Sequence, residues 1–171
     1  MKLDEKMRLN LGCGDKMMPG YINVDLCGGP DVVLDLSVFP WPFPDNSMEE
    51  VYSSHFLEHV EDFDRTVLEI HRVLKQNGIC HFRVPHFKNP LTPWHVHRWQ
   101  FSTYTCERLC QAVPYLWNGR QLFEKKAIRI NFAFIRKSIG VPLGILANIN
   151  PLMWEWLGLP CDEIEFVGRK R

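Results

Sequence analysis

Neither sign of charge is in excess: 20 lysines and arginines stand against 20 aspartates and glutamates in 171 residues. A whole-molecule field that would gather nucleic acid or an anionic membrane is therefore missing, and no nucleic-acid partner is expected. The six cysteines, Cys13, Cys27, Cys80, Cys106, Cys110 and Cys161, include no C-x-x-C pair, so a structural zinc site is not expected of them. Most lie in apolar runs, where a reduced thiol behaves as a small hydrophobe. Residues 1–8 lack the apolar stretch of a signal peptide. No continuous apolar run reaches the ~20 residues of a membrane span. The nearest, Ser138 to Trp154, carries no charge but is interrupted by Pro142, Gly144 and Pro151. These absences together predict a cytoplasmic protein with reduced thiols and no membrane contact.

What is present is a single chain of ordinary globular balance, 46% hydrophobic and 23% charged, long enough for one domain with a real core. The patterning predicts strands at 8–11, 21–25, 31–36, 50–54 and 79–84, then 126–134 and 163–167. Phe63, Val67, Ile70 and Leu74 recur at helical steps, which predicts a helix over 63–75 ended by Asn77-Gly78. Ser102 or Thr103 can cap a second helix reaching Ala112. Strands alternating with helices indicate an α/β fold, read as one domain over 1–171 with an apolar cap or insertion at about 136–160. Homo-oligomerisation through 138–154 is an expectation attached to that segment.

The chemistry begins at the turn after the first strand. Gly12-Cys13-Gly14 lets backbone pass close beneath a ligand, where a Cβ would obstruct or forbid the dihedrals. A third glycine, which would complete the dinucleotide fingerprint, is missing, and this argues against a nicotinamide or flavin cofactor. Asp25 closes the second strand, where a carboxylate can accept from both hydroxyls of a ribose, and Asp35 closes the third, within reach of an adenine amino group. Ligands of open α/β sheets bind outside those strand ends, so the three features converge on one crevice.

With Leu9-Asn10-Leu11-Gly12-Cys13-Gly14, Asp25-Leu26, Asp35-Leu36, Pro42 to Ser47, Ser54-His55-Phe56-Leu57-Glu58-His59 and Arg72 to Gly78, the sequence resembles class I S-adenosylmethionine-dependent methyltransferases over about residues 8–86. The resemblance implies a Rossmann-like three-layer sandwich with a mostly parallel, approximately seven-stranded sheet and an antiparallel last strand at Glu163 to Val167. It implies S-adenosylmethionine as cofactor, with Asn10, Gly12, Cys13 and Gly14 at its methionine end. Asp25 and Leu26 would lie at the ribose, Asp35 and Leu36 at the adenine, and Ser54 and His55 beside the sulfonium. Two departures stand out. Asn10 replaces the acid that many of these enzymes carry two residues before the first glycine, and the stretch from Gly14 to Asp25 leaves room for only a turn or a single helical turn.

Histidine is the natural base near neutral pH. His55 and His59 follow strand four, His86 follows strand five, and His95 and His97 lie in the next loop with Trp94, Trp99 and Phe101; these five are the candidate bases or substrate anchors. His71 on the helix and His81 within a strand read as structural. His86, His95 and His97 could supply three metal ligands, but no cysteine or carboxylate stands at a diagnostic spacing, so no metal is assigned. No Asn-Pro-Pro-Tyr-like segment follows strand four, which argues against methylation of nucleic-acid bases. The function expected is methyl transfer to a small molecule at a hydroxyl or carboxylate oxygen. The alternatives are a non-catalytic cofactor-binding partner subunit, or a lipid-like acceptor under the apolar segment.

Overall fold

The computed structural model describes residues 7–89, 92, 95–132 and 137–171. Seven strands form one sheet: β1 (Arg8–Leu11), β2 (Ile22–Asp25), β3 (Val32–Val33), β4 (Met48–Ser54), β5 (Leu74–Pro85), β6 (Phe123–Asn131) and β7 (Glu163–Lys170). Their order is β3-β2-β1-β4-β5-β7-β6, with β3 to β5 mutually parallel across the row and β7 antiparallel to both β5 and β6. The mostly parallel α/β sheet with an antiparallel last strand is the one expected.

Alternation along each strand sorts the side chains onto two unlike faces. Leu9, Leu11, Val51, Phe82, Val84, Ile164 and Phe166 are buried in the main core. Helix α1 (Phe63–Val73) lays Phe63, Val67, Ile70 and Val73 onto it, and the Asp62 carboxylate accepts from the Arg65 N–H to start the helix. On the opposite face stand Glu50, Tyr52, His81 and Arg83, half-buried, with Glu165, buried, tied by ion pairs such as His81 to Glu165 at 3.0 Å. His81 is structural, as its place in a strand suggested.

The boundaries differ from the sequence pattern where tertiary contacts intervene. Helix α1 ends at Val73, because Leu74 turns extended, is fully buried, and pairs with Met48 as the first residue of β5. Its carbonyl accepts from Lys170 Nζ at 2.8 Å, a partner 96 residues away. Asn77-Gly78 then forms an irregularity within β5 rather than a helix stop. The third strand shrinks from 31–36 to Val32–Val33, since Asp35 folds back on Ser37 in a side-chain turn. Helix α2 (Thr103–Arg108) is capped by Ser102 as expected but stops short of Ala112. β6 begins earlier than Lys126; Ala133 and Phe134, placed in that strand by pattern, lie outside the described residues.

The apolar segment forms α3 (Lys137–Ala147) and α4 (Pro151–Trp156). Asn148 between them donates to the Ile130 carbonyl at 2.9 Å and accepts its N–H at 2.8 Å, which satisfies the edge of β6. No helix among the described residues is long and apolar enough to cross a membrane.

The first crossover contains no helix. Residues 12–21 run from β1 to β2 through turns alone. Asn10, buried, holds this loop: its amide donates to the Lys16 carbonyl at 3.0 Å and to Asn23 Oδ1 at 2.9 Å. Asn23 in turn donates to Asp31 Oδ2 at 2.8 Å. A carboxylate at position 10 could donate neither bond, which explains the departure from an acid. Asn10→Asp is expected to cost about 1–3 kcal/mol in urea denaturation, from the lost donors and a desolvated charge.

Candidate cofactor cleft

The carboxyl ends of β1, β2 and β3 open onto a cleft of about 320 Å³, within the range of small-ligand pockets of about 300–1,000 Å³. Gly12, Asp25, Leu26, Asp35 and Leu36 line it, so five of the ten expected cofactor residues meet there. A second recess of about 290 Å³ is lined by Asn10, Cys13 and Ser54 with Arg83, and it shares Gly12 with the first. The two lie on either side of the glycine turn.

The turn is built for close approach. Gly12 has φ +62°, and a Cβ there would stand 2.5 Å from the Phe56 ring. Gly14 has φ +53° with open space where a Cβ would project. Asp25 Oδ2 accepts the Gly14 N–H at 2.8 Å, while Oδ1 accepts the Leu26 N–H at 2.7 Å and the Cys27 N–H at 3.3 Å. Oδ1 thus spends both lone pairs on its own turn, and Oδ2 keeps one with which to accept from a ribose hydroxyl. Burial and the nearby Asp25 charge push the Cys13 thiol upward, so it lines the turn as a neutral group. Hydrogen bonds from Ser37 hold the Asp35 carboxyl below its usual range, an anion at the cleft wall. The Leu36 carbonyl is committed to the Trp41 indole at 3.1 Å. Two aromatic rings not anticipated, Phe39 and Phe56, complete the apolar lining, and Arg65 lies 4.8 Å over Phe39. The Phe39-Pro40-Trp41 sequence was the only signal for the first, since aromatic residues in a proline-rich loop pack rather than float.

The five candidate histidines separate into different environments. His59 lines the cleft, and the ring of His97 stands 4.9 Å from it, edge to face. His95 is exposed. His86 does not face the cleft: it is fully buried, its Nδ1 accepts from the Lys88 N–H, and its Nε2 lies 3.3 Å from Glu155. Burial lowers its pKa against the pull of Glu155, leaving a neutral structural ring. Trp94 lies outside the described residues, Phe101 is buried, and Trp99 packs on Phe63.

His55 is clasped between two acids. Its Nε2 meets Glu163 at 2.9 Å and its Nδ1 lies 3.3 Å from Glu58. The hydrogen bond to Glu163 and, second, the ion pair with Glu58 raise its pKa to about 9, against burial. Burial opposes ionisation of Glu163, but His55 and Asn131 outweigh it and hold that carboxyl low. At neutral pH the ring is therefore an imidazolium and has no lone pair with which to act as a base. Glu163 on β7 is invisible to local sequence reasoning, although the Glu163-x-Glu165 alternation places both acids on one face.

Residues 9–82 match the family model described as "Methyltransferase domain". The fold is that of an S-adenosylmethionine-dependent methyltransferase from Mesorhizobium loti, at TM-score 0.59 and 18% identity, covering 99% of this chain and 94% of that one. An Archaeoglobus fulgidus methyltransferase is similar at TM-score 0.60 and 16% identity, covering 98% and 88%. So is the complex between the Haloferax volcanii Trm112 methyltransferase activator and its methyltransferase partner, at TM-score 0.55 and 15% identity, covering 99% and 85%. A search of curated proteins gives no match.

The clasp on His55 has a pH signature. Because its folded pKa lies above the unfolded value of about 6.5, its stabilising contribution is complete below pH 6.5 and is lost as pH rises through about 9. His55→Asn suits this position, since φ is +54° and asparagine tolerates it. The stability gap between the natural chain and this variant, measured by urea denaturation across pH, is expected to narrow over that window. A gap independent of pH would contradict the clasp. The methyltransferase-domain match over residues 9–82, this sheet order and this glycine turn agree on one fold, that of the S-adenosylmethionine-dependent methyltransferases compared above.

Proposed function

We propose that this chain transfers the methyl group of S-adenosylmethionine to a hydroxyl or carboxylate oxygen of a small molecule. The observation that carries the proposal is the convergence of Gly12, Asp25 and Asp35 on one cleft. When bound, the cofactor supplies a methyl already activated on a sulfonium sulfur. Asp25 would hold a ribose hydroxyl through the remaining lone pair of Oδ2, and Asp35 would accept from the adenine amino group. Leu26 packs beside the ribose, and Leu36 contributes its backbone beside the adenine. Gly12, Cys13 and Gly14 cradle the methionine end; Asn10 acts through the loop it holds, as a positioning residue. Ser54, in the adjoining recess, would stand toward the methyl end.

Alignment for in-line transfer supplies much of the rate in such a reaction, so the chain needs to do little acid–base work. Of the candidate imidazoles, His59 lines the cleft, and the His97 ring stands 4.9 Å from it. Balanced charge favours a small acceptor over nucleic acid.

Calorimetry is expected to show binding of both S-adenosylmethionine and S-adenosylhomocysteine. Asp25→Ala should weaken both at least tenfold, about 1.4 kcal/mol, through loss of charge-assisted hydrogen bonds. A folded sample that binds neither ligand overturns the reading.

A second property is favoured by one observation. Ile145, Leu146, Ile149, Met153 and Trp156 are exposed together on α3, α4 and the turn between them, Trp156 at 84%. We propose that a second copy of the chain covers this surface. Light scattering should give a concentration-dependent mass that Ile149→Glu with Trp156→Glu returns to the monomer. A natural chain that stays monomeric at high concentration contradicts this.

A further inference from the structure

Beside the cleft, three side chains of metal-binding type converge from two loops. Glu58 and His59 follow β4, and His97 comes from the loop after β5; one ligand atom from each lies within 4.8 Å of the other two. Ligands about 2.1 Å from a tetrahedral ion stand roughly 3.4 Å apart, so small side-chain rotations close the set.

Glu58 supplies the independent sign that something belongs there. Its side chain is 1% exposed, and among the described residues neither carboxylate oxygen has a hydrogen-bond partner. A buried carboxylate left so is costly unless a cation or donors meet it. Its ion-pair partners are His55 Nδ1 at 3.3 Å, outside hydrogen-bond alignment, and His59 Nε2 at 4.0 Å, both on Oε1. His55 already has its hydrogen-bonded acid in Glu163, so its ion pair with Glu58 does not exhaust that carboxylate.

The two imidazoles are oriented as ligands. His59 Nδ1 faces the Val96 carbonyl at 3.1 Å, and His97 Nδ1 faces the Thr92 carbonyl at 3.0 Å. A carbonyl can only accept, so each Nδ1 carries the proton and each Nε2 is the basic nitrogen. Outer hydrogen bonds of this kind fix tautomer and ring direction at metal-binding histidines. The two loops are also locked together. The Arg98 and Trp99 N–H groups donate to the Glu58 carbonyl at 2.8 and 3.3 Å, and the Trp99 indole donates to the Val60 carbonyl at 2.7 Å.

The geometry points to a divalent transition-metal site formed by Glu58, His59 and His97 at the edge of the cofactor cleft. Two imidazoles and one carboxylate suit zinc, cobalt, nickel or ferrous iron, and not magnesium or calcium, which prefer all-oxygen sets. Three protein ligands leave a coordination position open, and one of them, His59, lines the cleft. Absence of metal was the expectation from spacing, which considered His86, His95 and His97. Folding removes His86 to the interior and brings in a carboxylate from another loop instead. The inference stands apart from methyl transfer, because its test reads metal and not turnover.

The test is titration of the chelator-stripped full chain with Co²⁺ and with Zn²⁺. One ion per chain is expected, with Co²⁺ giving visible ligand-field bands and no thiolate charge-transfer band. Excess Mg²⁺ should not compete. His97→Ala and Glu58→Gln should each weaken binding at least tenfold while S-adenosylhomocysteine still binds. If Glu58→Gln fails to fold, the natural chain's spectrum and His97→Ala decide. No stoichiometric uptake by folded protein, a thiolate spectrum from the cysteines, or unchanged affinity in both variants overturns the site.

Discussion

The carboxylate of Asp25 sits where two strands end and binds them into one surface. It takes the Gly14 N–H from the turn after β1 and the Leu26 and Cys27 N–H groups from the turn after β2. The crossover between those strands has no helix whose N-terminus could organise the turn, so side-chain hydrogen bonds take over that task. Asn10 and Asn23 hold the loop from beneath, and Asp25 holds it at the rim. The cleft, the approach past Gly12 and the neighbouring recess all depend on this arrangement. A single acid thus both shapes the turn and presents acceptor capacity to a ligand.

The two faces of the sheet divide the work. One is sealed by α1 and by stacked rings such as Phe82 on Phe166, 4.7 Å between centroids. The other carries linked charges, from Glu50 and His81 through Glu165 and Arg83 to Glu163 and His55. That chain of pairs reaches the active end of the sheet at His55 and sets the ring's charge there. The charge at the carboxyl end of β4 is therefore connected to strands far along the sequence.

Much of this was legible in the residues. Strand positions, the antiparallel last strand, the glycine turn and the acids Asp25 and Asp35 follow from patterns a few residues long. What was not legible depends on distant partners. The end of α1 is set by Met48 and Lys170 meeting Leu74, and not by Asn77-Gly78. Three of the five histidines change meaning on folding: His86 is sealed inside, His55 becomes a cation on Glu163, and His97 is pinned over His59 by its loop. Spacing along a chain reports helices and turns well, but reports clusters assembled from separate loops poorly.

The central claim is that the cleft at Asp25 holds the cofactor, with Gly12 marking the passage to the methyl end. The most direct measurement is a crystal structure of the chain with S-adenosylhomocysteine bound. Adenosine lying between Asp25, Asp35 and Phe39, with the sulfur beside Gly12 and Ser54, is the result expected. Adenosine bound elsewhere, with Asp25 touching only its own turn, would contradict it.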